Sequence, residues 1–89
     1  MTTIYKYVLN DNLKQTLSLP IGAKILTVQT QYNKAVLWAV VNPEQTRKQE
    51  RIFKIRPTGH IFEDGSKDKY IGTFQLDNGD FVGHLYEEQ

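Results

Sequence analysis

The sequence contains no cysteine and only two histidines. The absence of cysteine excludes disulfides, zinc fingers, iron–sulfur centres and thiol nucleophiles. Two histidines alone make a poor transition-metal site. We therefore expect a protein that holds neither a metal nor a cofactor.

A strong excess of one charge is also missing. The 11 Lys and Arg residues oppose 10 Asp and Glu, for a formal net charge of +1, whereas proteins that coat DNA or RNA are usually strongly basic. The N-terminus has no apolar signal region, and no apolar run approaches the roughly 18 residues that a membrane span needs. These absences predict a cytoplasmic protein without a membrane or a long nucleic acid as partner.

What is present suffices for a folded core, since 39% of the residues are hydrophobic and 11% are aromatic. Apolar and polar residues alternate with period two in short runs that end at Asn, Asp, Gly or Pro, as in strands and turns. The chain length fits one domain, residues 1–89. The sequence predicts an all-β domain of about seven short antiparallel strands, in a small sandwich or a partly open barrel. The predicted strands are 3–9, 15–19, 24–31, 35–41, 51–56, 70–76 and 81–86.

Three further features bear on this fold. Residues 35–41 are apolar on both faces, which predicts a central strand covered by a second sheet or by a second subunit. The same pattern fits a dimer, a tetramer or the sandwich core of a monomer. Gly72 and Gly83 lie inside predicted strands, where a missing side chain indicates a bulge or a close approach by another backbone or a ligand. The polar stretch 44–49 is predicted to be a loop or at most one helical turn.

The densest charge cluster lies between residues 47 and 56. An arginine guanidinium binds phosphate through two donors at once, and a strand would project Lys54 and Arg56 from the same face. The cluster would hold a phosphate, or it is a solvated edge strand whose charges prevent aggregation. Its members are Arg47, Lys48, Arg51, Lys54 and Arg56.

The turn after this cluster, residues 56–60, adds Thr58, Gly59 and His60. Its backbone amides could form a concave nest for phosphate oxygens, although such turns are also common on surfaces. Segment 61–68, with turn residues at 64–66, is the loop that we expect to be functional. Tyr5 and Tyr7 are candidates to stack on a base, or they pack in the core.

The sequence shows no nucleophile beside an activating base, no paired carboxylates and no glycine-rich phosphate fingerprint. We therefore expect a binding protein and not an enzyme.

Six segments spread over the chain carry a resemblance to known sequences. They are 4–7, 20–26 with Val28 and Gln29, 37–43, 58–60, 70–76 and 84–86. On these segments the chain resembles a family of small phage- and prophage-encoded proteins of unknown function.

The resemblance implies a phage protein acting in the cytoplasm of an infected bacterial host. Small phage proteins of this kind are similar to counter-defence factors of the anti-CBASS and anti-Thoeris type, which sequester the nucleotide signals of host immunity. Such a homo-oligomeric sponge would hold a cyclic oligonucleotide such as cGAMP, or a cyclic ADP-ribose type molecule, without cleaving it. The residues that we assign to nucleotide binding are Arg51, Lys54, Arg56, Thr58, His60, Tyr5 and Tyr7.

Other functions stay open at this stage. The chain could be a protein-binding inhibitor or adaptor that offers an exposed β edge and the basic strand to a host protein. A virion accessory protein and a nuclease or hydrolase are further alternatives. If Arg56 makes a charge-assisted contact with the ligand, its replacement by alanine should weaken binding by about 1.5–3 kcal/mol and leave the melting temperature nearly unchanged.

Overall fold

The computed structural model describes residues 1–63 and 67–89, which form two antiparallel sheets. The strands are β1 (Thr3–Val8), β2 (Lys14–Pro20), β3 (Lys24–Gln31), β4 (Lys34–Val41), β5 (Lys48–Pro57), β6 (Lys69–Leu76) and β7 (Phe81–Glu87). One sheet has the order β1-β4-β3 and the other has the order β2-β5-β7-β6. The predicted all-β fold is confirmed, as a sandwich and not a closed barrel. None of the described residues belongs to a helix that could cross a membrane.

The seven strands begin and end close to their predicted bounds, with one exception. β5 begins at Lys48, although residues 44–49 were expected to form a loop. The polar residues Lys48, Gln49 and Glu50 extend the ladder because they lie opposite the end of β2, where Pro20 faces Lys48. Backbone pairing with a neighbour therefore overrides the polar local sequence at this end of β5.

The core lies between the two sheets and is built from alternate residues of each strand. Leu37 from one sheet, and Leu19, Phe53 and Leu85 from the other, are fully buried. Burial of each such side chain contributes about 1.5–3 kcal/mol to folding. The sandwich thus rests on a few large apolar groups that meet in its centre.

β4 is the central strand of its sheet, as predicted, and the opposite sheet covers its inner face. Its outer face carries Val36, which is only 1% exposed, and Trp38. Lys6 of β1 donates to the Gln31 side chain of β3 at 2.7 Å. Since β1 and β3 flank β4, this hydrogen bond crosses the outer face of β4. Polar side chains of its own sheet therefore shield part of that face.

Gly72 lies at a shift in register, as predicted for a bulge, and both strand glycines are approached most closely by core side chains and not by the backbone or ligand that the sequence suggested. A Cβ atom on Gly72 would lie 3.0 Å from a methyl group of Val28 in the opposite sheet, and the register of β6 shifts beside this glycine. A Cβ atom on Gly83 would lie 2.7 Å from the Phe74 ring. Any side chain at either position would compete with the packing of the core.

The two sheets are joined along one side, where β3 and β6 meet. Thr30 donates to the backbone carbonyl of Gln75 at 2.6 Å, and the side chain of Asn33 exchanges two hydrogen bonds with Asp77. The opposite side of the sandwich is bordered by β1 and β2, which do not pair with each other.

Candidate functional site

The outer face of the four-stranded sheet brings together basic, aromatic and hydroxyl side chains. Lys54 and Arg56 both project from this face, because they lie opposite Tyr86 and His84 of β7. In β6, Tyr70 and Thr73 continue the same two rows. β5 is flanked by β2 and β7. Lys54 pairs with both β2 and β7, so the interpretation as an edge strand is wrong at this residue, whereas residues 48–51 pair with β2 alone among the described strands.

Arg56 is held in a stack of aromatic rings. The carbon of its guanidinium lies 4.2 Å from the centre of the Phe62 ring and 4.4 Å from the centre of the Tyr86 ring. One guanidinium nitrogen donates to Asp68 at 2.6 Å, and the Arg56 side chain is only 11% exposed. Tyr70 packs edge-on against Tyr86, with 5.4 Å between ring centres. Arg56 thus anchors the segment before β6 to the sheet.

Lys54 shares the same carboxylate. Its ammonium group lies 3.2 Å from Asp68 and 3.0 Å from Glu88. The hydrogen bond from Arg56, and to a smaller extent that from Lys54, lowers the pKa of Asp68. The hydrogen bond to Glu88, and to a smaller extent that to Asp68, raises the pKa of Lys54. Both groups of the Lys54–Asp68 pair therefore stay charged near neutral pH.

A cleft of about 380 Å³ opens beside this stack. Lys14 and Lys54 line it from directly opposite positions on β2 and β5. Arg56 and His60 add two further nitrogen-bearing side chains, and the Phe62 ring, 52% exposed, forms part of the wall. Lys14 makes no ion pair with any residue in the described ranges. The cleft therefore joins two facing lysines to an aromatic surface.

The turn at Thr58 engages its polar groups within the protein. The amide of Thr58 donates to Val82, and the amide of His60 donates to Pro57, at 3.0 and 3.1 Å. The hydroxyl of Thr58 lies 2.7 Å from one ring nitrogen of His84. These two amides do not form the nest that the sequence suggested. Thr58 serves the sheet surface, whereas His60 lines the cleft.

His84 links a short row of polar side chains. Its second ring nitrogen lies 2.8 Å from the hydroxyl of Thr73, which in turn lies 2.6 Å from the hydroxyl of Tyr70. A neutral imidazole donates one hydrogen bond and accepts one, so the two threonines can satisfy both nitrogens. This row holds the rings of the outer face in position.

Arg51 lies on the opposite face of β5. Its guanidinium donates twice to the carboxylate of Glu87, at 2.5 and 2.8 Å, and once to the carbonyl of Ala23. The hydrogen bonds that Arg51 donates to Glu87 raise the pKa of Arg51. The structure therefore separates Arg51 from Lys54 and Arg56.

Tyr5 and Tyr7 lie in the other sheet and do not line the cleft. They sit opposite Ala39 and Leu37 on the inner side of β1. Tyr7 packs against the core. Its pKa is raised mainly by burial and to a smaller extent by the nearby Tyr5. Three of the proposed binding residues thus meet at the cleft, namely Lys54, Arg56 and His60.

Residues 1–89 match a family described as a domain of unknown function, DUF7352. The chain belongs to the DUF7352 family. No curated protein and no solved structure matches it. The DUF7352 match spans both sheets and all of the cleft, so the site described above is contained within the family unit.

Sequence reasoning missed three residues of the site, Lys14, Phe62 and Asp68. Lys14 faces Lys54 through the register of β2 on β5, which the sequence does not state. Phe62 and Asp68 belong to segment 61–68, where the sequence indicated a functional loop. Its turn at 64–66 lies outside the described residues. Within the described ranges, no group of His, Asp or Glu side chains converges as metal ligands would.

Proposed function

We propose that this chain is a nucleotide-binding protein that holds a phosphorylated ligand in the cleft without cleaving it. The observation that carries the proposal is the pair of lysines, Lys14 and Lys54, that face each other across β2 and β5 beside an exposed aromatic ring. Like charges at directly opposite positions repel each other. The charge of Lys54 is already partly matched by Asp68 and Glu88, whereas Lys14 has no ion pair among the described residues. An anion seated beside Lys14 would relieve the remaining repulsion and gain a charge-assisted contact there.

The shape and lining of the cleft suit the two halves of a nucleotide. Its volume of about 380 Å³ falls within the range typical of ligand pockets, roughly 300–1,000 Å³. We assign the phosphate to Lys14 and Lys54, with His60 as a further donor. We assign the base to the exposed face of Phe62, because bases stack on aromatic rings whatever their sequence.

Arg56 takes a supporting role in this assignment. Its guanidinium lies over the rings of both Phe62 and Tyr86, and Asp68 occupies one of its nitrogens. It positions the aromatic wall of the cleft while contributing positive charge. Phe62 replaces Tyr5 and Tyr7 as the stacking residue, and Arg51 and Thr58 take no part.

The biological part of the proposal follows from the resemblance to phage proteins. In that setting the ligand is a nucleotide signal of host immunity, either a cyclic oligonucleotide such as cGAMP or a cyclic ADP-ribose type molecule. The protein would sequester it in the cytoplasm of the infected cell as a homo-oligomer, a dimer or a tetramer.

Calorimetric titration with cyclic di- and trinucleotides and cyclic ADP-ribose isomers tests this function. We expect one ligand class to bind and to be recovered intact, as judged by mass spectrometry. Loss of one charge-assisted contact costs about 1.5–3 kcal/mol, so Lys14→Ala should lower affinity about tenfold or more. Lys24→Ala, which removes an exposed lysine of the other sheet, is the matched control.

A second pair of variants tests the base assignment. Phe62→Ala should weaken binding, because stacking on one ring is worth about 1–3 kcal/mol per base. Tyr32→Ala removes an exposed ring that does not line the cleft, and this variant should bind as tightly as the wild type. No binding across the panel, or recovery of a cleaved ligand, would overturn the proposed function. If Lys14→Ala binds with unchanged affinity, the cleft is not the binding site.

A protein-binding inhibitor is the second candidate, favoured by the exposed edge of β1. Ile4 and Val8 are exposed on this strand, and an open edge can accept a strand from a partner. Lys54 pairs on both sides, with β2 and β7, so the basic strand does not offer an edge at this residue. This candidate would be favoured by a host protein that binds the wild type but not the Val8→Lys variant. That host protein should also displace no nucleotide.

A further inference from the structure

The four edge strands of the two sheets differ in how open they are. β3 and β6 are tied to each other by side chains. β2 carries Lys14 on its surface and ends in Pro20, which has no amide to donate. Charged side chains and proline are the features by which natural edge strands avoid pairing. β1 also has one lysine but contains no proline, and among the described strands only β4 pairs with it.

The direction of the backbone groups along β1 follows from one hydrogen bond. The amide of Leu9 donates to the carbonyl of Ala35 at 2.9 Å, and these residues continue the register in which Val8 lies opposite Val36. Hydrogen-bonded pairs alternate with non-bonded pairs in an antiparallel ladder. The backbone groups of Ile4, Lys6 and Val8 therefore point away from β4, toward the outer edge.

The same three residues place their side chains on the outer face of the sheet. Ile4 is 56% exposed and Val8 is 52% exposed, and they border Val40 and Val36 of β4. Tyr5 and Tyr7 lie on the inner side. The edge thus offers backbone donors and acceptors together with apolar side chains on both sides of Lys6.

We propose that β1 pairs antiparallel with β1 of a second copy, about a twofold axis at Lys6. This arrangement joins the three-stranded sheets of the two copies into one sheet of six strands, three from each. Ile4 then lies opposite the partner's Val8, and Tyr5 lies opposite the partner's Tyr7. The proposal gives an interface to the oligomer in the proposed function but does not involve the cleft.

The choice of register rests on side-chain pairing. Both faces stay continuous across the interface only if the twofold axis passes through a residue, and the two central choices are Lys6 and Tyr5. An axis at Tyr5 would place Ile4 opposite the partner's Lys6. An axis at Lys6 gives an aliphatic pair and an aromatic pair, the combinations that stabilise antiparallel ladders.

Lys6 at the axis does not oppose this pairing. Its ammonium group donates to Gln31 at 2.7 Å across β4, away from the outer edge. In the dimer the two ammonium groups would extend in opposite directions, each over its own sheet. The repulsion expected of facing lysines is therefore reduced at this position.

Light scattering coupled to gel filtration tests the association. We expect twice the chain mass of 10.3 kDa at high protein concentration, and the monomer mass for the variant Ile4→Lys, Val8→Lys. The control Ile21→Lys, Leu26→Lys adds the same charge at two other exposed apolar sites and should remain dimeric. Thermal unfolding by circular dichroism checks that each variant is folded. A wild-type monomer at every concentration would overturn the proposal.

A cross-link tests the register, because the chain has no cysteine of its own. Cα atoms in a hydrogen-bonded antiparallel pair lie about 5.5 Å apart, within the range of about 4.4–6.8 Å that a disulfide spans. Under oxidising conditions Lys6→Cys should form a disulfide-linked dimer, whereas Tyr5→Cys and Gln29→Cys should not. If Tyr5→Cys cross-links faster than Lys6→Cys, the proposed register is wrong. If Gln29→Cys cross-links faster than Lys6→Cys, the proposed interface is wrong. These readouts are independent of ligand, so nucleotide binding stands or falls separately.

Discussion

Arg51 and Arg56 lie on the same strand and each binds a carboxylate, yet the two ion pairs occupy different surroundings. Arg51 turns inward at the end of the sandwich, where its side chain is 18% exposed and that of Glu87 is 9% exposed. Two parallel hydrogen bonds and a third to Ala23 hold it. Arg56 turns outward and lies between two aromatic rings.

The difference shows that strand parity decides what an arginine does in so small a domain. Arg51 shares the inner face with Phe53 and Ile55, so its charge must be matched within the protein. Arg56 lies on the face that carries the cleft, where the same residue type combines packing with positive potential. Three experiments ask how far this contrast extends.

The largest effect is expected from the inward pair. Glu87→Gln keeps the shape of the side chain but leaves the guanidinium of Arg51 without its counter-charge in a poorly solvated place. Loss of hydrogen bonds to a charged group costs about 1.5–3 kcal/mol, which corresponds to a drop in melting temperature of roughly 6–24 °C for a domain of this size. Thermal unfolding by circular dichroism measures it.

The neighbouring glutamate supplies the control. Glu88 contacts Lys54 at 3.0 Å and its side chain is 34% exposed, and ion pairs of that kind contribute little. Glu88→Gln should therefore leave the melting temperature nearly unchanged. Equal melting temperatures for the two variants would mean that the inward pair carries no special stability.

Much of this contrast could be predicted from the sequence, but its partners could not. The alternation in 51–56 already places Arg51 with Phe53 and sets Lys54 beside Arg56. The binding hypothesis nevertheless grouped all three by their charge and their proximity along the chain. Glu87 and Asp68 reach them through the pairing of β5 with β7 and the path of the chain before β6, and neither is encoded in local periodicity.

The fold shows the same division between local and long-range information. The hairpin turns are encoded by short-range chemistry, since Asn33 and Asn78 adopt positive φ values that asparagine tolerates. The order β2-β5-β7-β6 depends on contacts between distant segments. It creates the cleft by placing Lys14 opposite Lys54, so the site became visible only with the register.

A smaller effect is expected from the outward arginine. Arg56→Lys keeps the positive charge near Asp68 but removes the planar group that contacts the rings of Phe62 and Tyr86. Cation–π contacts are worth about 0.5–2 kcal/mol, so the melting temperature should fall by roughly 2–16 °C. This result would contradict the expectation that replacing Arg56 leaves the melting temperature nearly unchanged. Arg47→Lys, at an exposed position before β5, is the control and should change nothing.

The smallest effect, and the one that isolates charge on the outer face, is the pH dependence of Asp68. Arg56 and then Lys54 lower its pKa below the ordinary value of 3.8. The carboxylate therefore stabilises the folded protein above that value, and the contribution disappears as the pH falls through the lower pKa of the folded state.

Asp68→Asn removes the charge but keeps the stack on Arg56. The gap in melting temperature between wild type and this variant should be largest at neutral pH and close in the acid range. A gap for Asp68→Asn that stays constant from pH 7 downward would mean that Asp68 acts on Arg56 through shape and hydrogen bonding, not through charge.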